Sequence, residues 1–158
     1  MVFAGDFTHF IWYGILIYLA TVIDLYTREI VGWSIGLHHS SALIIDAFEN
    51  AKIRRSTPYL FHSDQGSEYT SLACTEWLFK NNIIPSQSTK SSPWQNGWQE
   101  SFYGKLKQEF GNIHRFKTIE DLTEALHLHI HFYNKKRIHL KLKMPPEQFY
   151  QREMKKWT

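Results

Sequence analysis

The chain has 158 residues, of which 43% are hydrophobic and 16% are aromatic, so it is not a disordered polymer and suits one domain with a buried core. Its single cysteine, Cys74, excludes an internal disulfide framework and indicates a reducing compartment. Residues 1–100 hold 6 Lys/Arg against 9 Asp/Glu, whereas residues 101–158 hold 12 against 6. An acidic first part followed by a basic second part suits an enzyme that holds a metal ion and grips a polyanion.

The beginning of the chain predicts neither export nor insertion into a membrane. No basic segment precedes the first apolar stretch, as a secretory signal would require. That stretch, residues 10–23, is too short to span a bilayer and is interrupted by Gly14 and Thr21. We therefore expect a cytoplasmic protein with no membrane partner, organised as a core domain over 1–150 and a C-terminal tail over 151–158.

The first third of the chain predicts three strands and a helix. Apolar and β-branched residues predict strands over 3–10, 15–23 and 29–36, and residues 24–28 read as the hairpin turn between the last two. Ser40 or Ser41 is the predicted N-cap of the helix that follows. Its buried stripe is predicted from helical spacing and comprises Leu43, Ile44, Ala47, Phe48 and Ala51.

The rest of the chain alternates between short strands and helices. Residues 59–61 predict a strand leading to Asp64, residues 71–81 a helix, and residues 83–84 the start of a fifth strand. On that helix, Leu72, Thr75, Leu78 and Phe79 are expected near one face. The order of elements predicts an α/β fold in which a mixed five-stranded sheet is flanked by helices.

Polar residues over 86–97 predict a mobile loop. Helices are expected after it, over about 98–110 and about 119–135, and a short helix follows Pro146. The buried stripe predicted for the second of these helices comprises Ile119, Leu122, Leu126, Ile130 and Tyr133.

Three carboxylates occupy positions where a metal-dependent nuclease or recombinase needs them. Asp6 lies on the first strand, Asp64 ends the fourth, and Glu100 begins the helix after the loop. The first and fourth strands can lie side by side in this order, so Asp6 and Asp64 would project into the same crevice. The 35 residues between Asp64 and Glu100 hold one strand, one helix and the loop that can bring Glu100 over them.

Three oxygen ligands without an accompanying cysteine favour Mg²⁺ or Mn²⁺ over zinc. Two such ions about 3.5–4 Å apart can hold both the attacking and the leaving oxygen of a phosphodiester, so no protein nucleophile is required. The chain shows no Ser-His-Asp or Cys-His pattern, which agrees with this chemistry. Spacing alone does not settle the assignment, because 15 acidic residues offer many pairs by chance.

Other residues compete for a place in this site. Asp24 is an alternative first ligand, although its position in the hairpin turn favours a structural role. Glu68 is expected to be a loop or helix-start residue, and His62 either lies near the metal or packs in the fold. Alternating histidines on one helix point in different directions and cannot form a single metal site, which applies to His127, His129 and His131.

Basic side chains after Glu100 are the candidate contacts to DNA. Lys107 lies seven residues beyond Glu100 and shares its helical face, whereas Lys105 is equally compatible with a solvated surface. The basic run that follows the long helix is expected either to contact backbone phosphates or to be solvated, and comprises Lys135, Lys136, Arg137, Lys141 and Lys143. Trp94 and Trp98 flank the loop, where they would either stack on an unpaired base or pack in the core.

The same residues stand within longer motifs that recur in order along nearly the whole chain. These are Asp6-Phe7-Thr8, residues 18–33, His62-Ser63-Asp64-Gln65-Gly66, Asn96 with Glu100-Ser101-Phe102, Tyr133-Asn134 with Arg137 and His139, and residues 145–149. With these motifs the sequence resembles the catalytic core of retroviral-integrase-type transposases, which bacterial insertion sequences encode in their second reading frame.

The resemblance implies a ribonuclease H-like fold and an Asp-Asp-Glu triad of Asp6, Asp64 and Glu100 that binds two Mg²⁺ or Mn²⁺ ions. It also implies DNA cleavage and strand transfer between element ends and target DNA, carried out by a homo-oligomer. Family members usually carry an upstream helix-turn-helix region, whereas this sequence starts five residues before Asp6. A fragment, a separately encoded core and an inactive copy all agree with that start. The rival functions are a nuclease of the same fold that does not join DNA, and a non-catalytic DNA-binding remnant.

Overall fold

A computed structural model of the chain describes residues 1–88 and 97–156. The strands are β1 (Val2–Trp12), β2 (Ile15–Asp24), β3 (Ile30–Gly36), β4 (Leu60–Ser63) and β5 (Ile84–Gln87). The helices are α1 (Ser41–Arg54), α2 (Ser67–Thr70), α3 (Leu72–Lys80), α4 (Gly97–Phe110), α5 (Ile119–Lys135) and α6 (Pro146–Met154). Of the loop predicted over 86–97, residues 89–96 lie outside the described residues, and its ends belong to β5 and α4.

The five strands form one mixed sheet in the order β3-β2-β1-β4-β5. Strands β1, β2 and β3 form an antiparallel meander, and the turn predicted over residues 24–28 lies between β2 and β3. Strand β4 pairs in parallel with both β1 and β5. The prediction of a mixed five-stranded sheet with the first and fourth strands side by side is therefore confirmed.

Helices cover both faces of the sheet because β1 and β2 are buried on both sides. Phe3 of β1 packs in a core with α1 and α3, whereas its neighbour Ala4 packs in a second core with α4 and α5. Successive strand residues point to opposite faces, so each strand serves both cores. The buried stripe predicted for α1 is confirmed in full, and on α5 every predicted residue is buried except Ile119, which is partly buried.

Only part of the face predicted for α3 is buried. Only Cys74 and Leu78, four residues apart, are buried on this helix. Leu72 is 72% exposed and Phe79 is 66% exposed, and their spacing of seven places both on the opposite face. Of the four residues predicted near one face, Leu78 is therefore buried, Thr75 is partly buried, and Leu72 and Phe79 are exposed.

Burial makes Cys74 chemically inert in the native protein. Its side chain is fully buried in the first core, and burial raises the pKa of the thiol to about 11. Because the thiolate is the reactive form, we expect native protein to resist alkylation by iodoacetamide at pH 8. Mass spectrometry should find rapid modification only after urea is added. Labelling at the same rate with and without urea would contradict the buried position.

The C-terminal helix predicted after Pro146 is present as α6, but it already includes Pro146 in its first turn and continues to Met154. It therefore crosses residue 150, where the sequence places the boundary between core and tail. Within residues 1–88 and 97–156, no helix has the length and apolar character needed to cross a membrane.

Candidate active site

The pairing of β1 with β4 brings two of the three carboxylates towards each other. The last paired residues are Ala4 and His62, each two positions before Asp6 and Asp64. Asp6 points to the same face of the sheet as Ala4, because strand side chains alternate. That face is the one covered by α4 and α5.

The Asp6 carboxyl group is largely buried and held by backbone contacts. Its Oδ1 accepts a hydrogen bond of 2.8 Å from the amide of Phe7. Burial raises the pKa of this carboxyl to about 7, opposed by the Phe7 amide and reinforced by the negative charges of Asp64 and Glu100. The charges of the other two carboxylates therefore act on Asp6, and a cation placed among them would lower its pKa.

Asp64 lies in the turn that leaves β4. Its Oδ1 accepts a hydrogen bond of 2.9 Å from the amide of Gly66, the side-chain turn that aspartate favours at such positions. The hydroxyl group of Ser63 donates to the Asp64 carbonyl oxygen. Asp64 is exposed, so its second carboxylate oxygen is open to solvent and to ligands.

Glu100 lies in the first turn of α4 and is also exposed. A carboxylate in the first turn is favoured by the helix dipole. Among residues 1–88 and 97–156, no three His, Cys, Asp or Glu side chains lie close enough together to hold a metal ion as they stand. The charges of Asp64 and Glu100 nevertheless act on Asp6, so the three side chains lie in the same region of the described structure.

A buried polar cluster of Thr21, Gln99 and Tyr103 fixes α4 over this region. Gln99 Nε2 donates to the Ala4 carbonyl oxygen at 2.9 Å, and Gln99 Oε1 accepts from the Thr21 hydroxyl at 3.0 Å. The Tyr103 hydroxyl donates to the Asp6 carbonyl oxygen at 2.6 Å and lies 2.6 Å from the Thr21 hydroxyl. Gln99 directly precedes Glu100, so the cluster sets the distance from Glu100 to β1.

Substituting Gln99 by Leu should destabilise the fold by about 1–3 kcal/mol, because buried backbone and hydroxyl groups lose their partner. The free energy of unfolding in urea measures this effect. Gln108→Leu, an exposed change on the same helix, is the matched control and should cost much less. Equal losses in the two variants would show that the cluster does not anchor α4.

Asp24 has the structural role favoured from sequence, and His62 is held by hydrogen bonds within the fold. Asp24 accepts hydrogen bonds from the Tyr26 amide and the Thr27 hydroxyl, so its oxygens stabilise the β2–β3 turn. His62 lies between the hydroxyls of Ser86 and Ser88, at 3.1 and 3.0 Å. Burial lowers the pKa of His62, which favours a neutral ring in this position.

Glu68 lies near the start of α2, as expected, but it is buried and close to the site. A Cβ atom on Gly66 would lie 2.7 Å from Glu68 Oε2 and 3.0 Å from Asp64 Oδ1, so both carboxylates flank this glycine. Glu68 also pairs with Nδ1 of His39 at 2.8 Å. On α5, His129 pairs with Glu109, and His127 packs against Trp33, so these two histidines do not form a common site.

The candidate DNA-binding residues fall in three places. Lys107 extends along β1, with its amine 5.9 Å from the Phe10 ring, and Lys105 lines a pocket on the other flank of α4 together with Arg137. Lys135 pairs with Glu147 at 3.8 Å. The remaining candidates are exposed and comprise Lys136, Lys141 and Lys143. Trp98 is 40% exposed and lies against Arg28, while Trp94 lies outside the described residues.

Sequence reasoning missed the residues that support the carboxylates. Gln99, Tyr103 and Thr21 are polar residues at buried positions, and the helical spacing of Gln99 with Phe102 and Tyr103 could have revealed the first two. Tyr69 was also missed: burial and then the charge of Asp6 raise the pKa of its phenol. Its buried hydroxyl finds no hydrogen-bond partner in the described part of the chain.

Comparison with known proteins places these features in a family. A model of the integrase core domain matches residues 2–93, and a second integrase core domain model matches residues 81–146. The transposase for insertion sequence element IS904 of Lactococcus lactis is 36% identical over 141 residues, which are 87% of this chain and 56% of that protein. The transposase InsF for insertion sequence IS3fB of Escherichia coli is 36% identical over 108 residues, 67% of this chain and 38% of that protein. The chain thus spans about half the length, or less, of these relatives.

Solved structures share the fold at lower identity. The integrase catalytic core domain of HTLV-2, solved in complex with magnesium, is 18% identical with a TM-score of 0.75 over 94% of both chains. The intasome of simian T-cell lymphotropic virus, in complex with a PP2A regulatory subunit, contains a chain with a TM-score of 0.83 and 18% identity. It matches 94% of this chain and 53% of that one. The ribonuclease H-like fold expected from sequence is thereby confirmed.

Proposed function

Because the chain belongs to the integrase core domain family, we propose that it is a transposase catalytic core that cleaves DNA and joins strands. The observation that carries this proposal is that Asp64, which follows β4, and Glu100, at the start of α4, both act electrostatically on Asp6 of β1. Burial is the main cause that raises the pKa of Asp6, and the charges of Asp64 and Glu100 raise it further, an arrangement that a bound cation would stabilise.

The donor set fits a divalent metal of the magnesium type. All three side chains offer oxygen, and Asp64 and Glu100 are exposed at the surface where DNA would arrive. The HTLV-2 neighbour was solved with magnesium, which supports Mg²⁺ or Mn²⁺ for this chain. We propose that Asp6, Asp64 and Glu100 hold two such ions, which when bound would activate water or a 3′-hydroxyl group and neutralise charge on the leaving oxygen.

The other residues position these ligands. The Phe7 amide orients one oxygen of Asp6, and the Gly66 amide orients one oxygen of Asp64. The buried Gln99 and Tyr103 side chains hold the start of α4 against β1, which keeps Glu100 within reach. With a pKa of about 7, Asp6 must lose its proton before it can bind a cation.

We propose DNA as the substrate, both as element ends and as target. The basic residues Lys105, Lys107 and Arg137, on or near α4, and the exposed Lys136, Lys141 and Lys143 would contact backbone phosphates. Such contacts position the duplex without reading its sequence, so a helix-turn-helix region carried by a longer protein or by a partner would select element ends. The HTLV-2 neighbour was solved in dimeric and trimeric forms, which supports a homo-oligomer here.

Strand transfer tests this proposal directly. The chain is incubated with a labelled duplex that carries the element end and with a target plasmid, in Mg²⁺ or Mn²⁺, with EDTA as the control. Metal-dependent products joined to the plasmid support a transposase. Cleavage without joining would favour the nuclease, and DNA binding with neither reaction would favour the non-catalytic remnant.

A further inference from the structure

A basic pocket lies on the flank of α4 away from Lys107. Its lining includes Trp98 and Lys105 of α4, Arg28 of the β2–β3 turn, and Arg137 and His139 after α5. Trp98 and Lys105 are seven residues apart, so they project from one side of the helix. Glu100 and Lys107 are also seven residues apart but project from a different side of α4, so the pocket is separate from the carboxylate region.

Arg28 is the unusual member of this pocket. Only 7% of its surface is exposed, yet its Nε and Nη1 atoms have no hydrogen-bond partner among the described residues. A buried guanidinium without partners is costly, and each unmade hydrogen bond adds to that cost. The Trp98 ring lies 4.5 Å from the guanidinium carbon, which engages the flat face of the group and leaves its N–H edge unused.

The backbone of Arg28 is also held in an uncommon conformation. Its φ of 63° lies in the left-handed region that non-glycine residues avoid. Its amide donates to the Asp24 carbonyl oxygen at 2.8 Å, which closes the turn. The oxygens of the nearby Asp24 carboxylate are engaged by Tyr26 and Thr27, so this acid does not take up the free edge of Arg28.

The neighbouring side chains add positive charge and a further unpaired polar atom. Nδ1 of His139 is buried without a partner in the described part of the chain. Burial lowers the pKa of His139, and so do the charges of four nearby cations: Arg28, Lys105, Lys141 and Arg137. Arg137 is partly neutralised by its ion pair with Glu109. The pocket thus gathers donors and excess positive charge around a narrow space.

We propose that this pocket binds a phosphate group of DNA, seated against the unpaired guanidinium group of Arg28 with Lys105 and His139 beside it. An unpaired guanidinium N–H can donate a charge-assisted hydrogen bond to a phosphate oxygen, and a lysine adds a point charge. A duplex held here and at the carboxylates would cross α4, where Gly104 is exposed and an added Cβ would meet nothing within 4 Å. The choice of DNA over a free phosphate ion rests on the proposed function.

Binding of DNA to a Lys105→Gln variant tests this assignment without any chemistry. Fluorescence anisotropy of a labelled 30-base-pair duplex, measured in EDTA at several salt concentrations, gives affinity and salt dependence. We expect Lys105→Gln to weaken binding about tenfold at low salt and to reduce the slope of log K against log salt by about 1. The matched control is Lys80→Gln, an exposed change on α3 across the sheet, which should leave both unchanged.

A second measurement tests Arg28 itself. In protein labelled with ¹⁵N-arginine, the Nε–H resonance missing from an Arg28→Gln sample is that of Arg28, provided that circular dichroism shows the variant folded. Titration of the native chain with inorganic phosphate should shift this resonance saturably, and sodium chloride at equal ionic strength should not. If Arg28→Gln does not fold, Trp98 indole signals report on the same titration.

The two measurements separate the outcomes. Loss of DNA affinity together with a phosphate-induced shift supports the pocket, even if strand transfer fails and the proposed function falls. A phosphate-induced shift with unchanged DNA affinity in Lys105→Gln would mean that the pocket takes a free anion, and would overturn its assignment to DNA. An Arg28 resonance that does not respond, or responds equally to chloride, would overturn the site.

Discussion

Replacing Glu100 by Gln should lower the rate of DNA strand transfer by more than about 100-fold. The substitution keeps the size of the side chain and removes the charge that would hold a metal ion. Loss of groups that merely support metal ligands costs about 10–100-fold, so loss of a ligand itself should cost more. Glu100 is exposed and bears no part in the core, so thermal unfolding of the variant should match the native chain.

The matched control for this change is Glu76→Gln, another exposed helical glutamate, placed on α3 across the sheet. Joined and cleaved products are resolved on a gel under Mg²⁺ and under Mn²⁺. A Glu100→Gln variant with native activity would remove this residue from the proposed triad. Equal losses in the two variants would point to a general effect of surface charge on DNA binding.

Replacing Asp6 by Asn should stabilise the metal-free protein at pH 8 by up to about 4 kcal/mol while abolishing strand transfer. The pKa of Asp6 rises from 3.8 to about 7 on folding, so the folded state disfavours the ionised carboxylate. Asn carries no charge, and its side-chain oxygen can still accept the hydrogen bond of the Phe7 amide. Urea unfolding with EDTA present measures the gain.

The pH dependence of this gain follows from the direction of the shift. Between pH 3.8 and 7 the folded chain binds more protons at Asp6 than the unfolded chain, so its stability falls as the pH rises through this window. The advantage of Asp6→Asn should therefore shrink to less than half at pH 5. Excess Mg²⁺ should stabilise the native chain and leave the variant unchanged.

Asp46→Asn, an exposed change on α1, is the control for removal of an aspartate charge and should give little gain at either pH. An Asp6→Asn variant that is less stable than the native chain at pH 8 would mean that the carboxylate is stabilised without metal. That result would remove the electrostatic argument for a cation at this position.

Sequence patterns predicted the fold well where periodicity reports burial directly. Strands β1, β2 and β3 and the buried stripe of α1 were predicted because their apolar residues face a core along most of their length. On α3 the pattern did not show which apolar residues are buried: Leu78 is buried, whereas Leu72 and Phe79 are exposed, and exposure of an apolar side chain leaves no mark in the sequence. The loop predicted over residues 86–97 stays a prediction for residues 89–96, which lie outside the described part of the chain.

The candidate site was predictable to a different extent. Asp6, Asp64 and Glu100 stand in recognisable motifs, and the order of strands already placed the first two side by side. Their roles remain a proposal, since no ligand distances follow from register alone. Gln99 was not predicted, because its role depends on a contact with Thr21, which lies 78 positions earlier in the chain. Arg28 was not predicted, because its role depends on hydrogen bonds that its side chain does not make.

The distribution of elements along the chain has a consequence for assembly of the carboxylates. All five strands, with Asp6 and Asp64, precede residue 89, whereas α4, α5 and α6, with Glu100, follow residue 96. The second part docks through the Gln99 cluster and an apolar core, without needing chain continuity to define its position. The protein is therefore suited to fragment complementation: peptides 1–88 and 97–158, each lacking part of the proposed triad, should bind Mn²⁺ only when mixed, whereas binding by either peptide alone would contradict that triad.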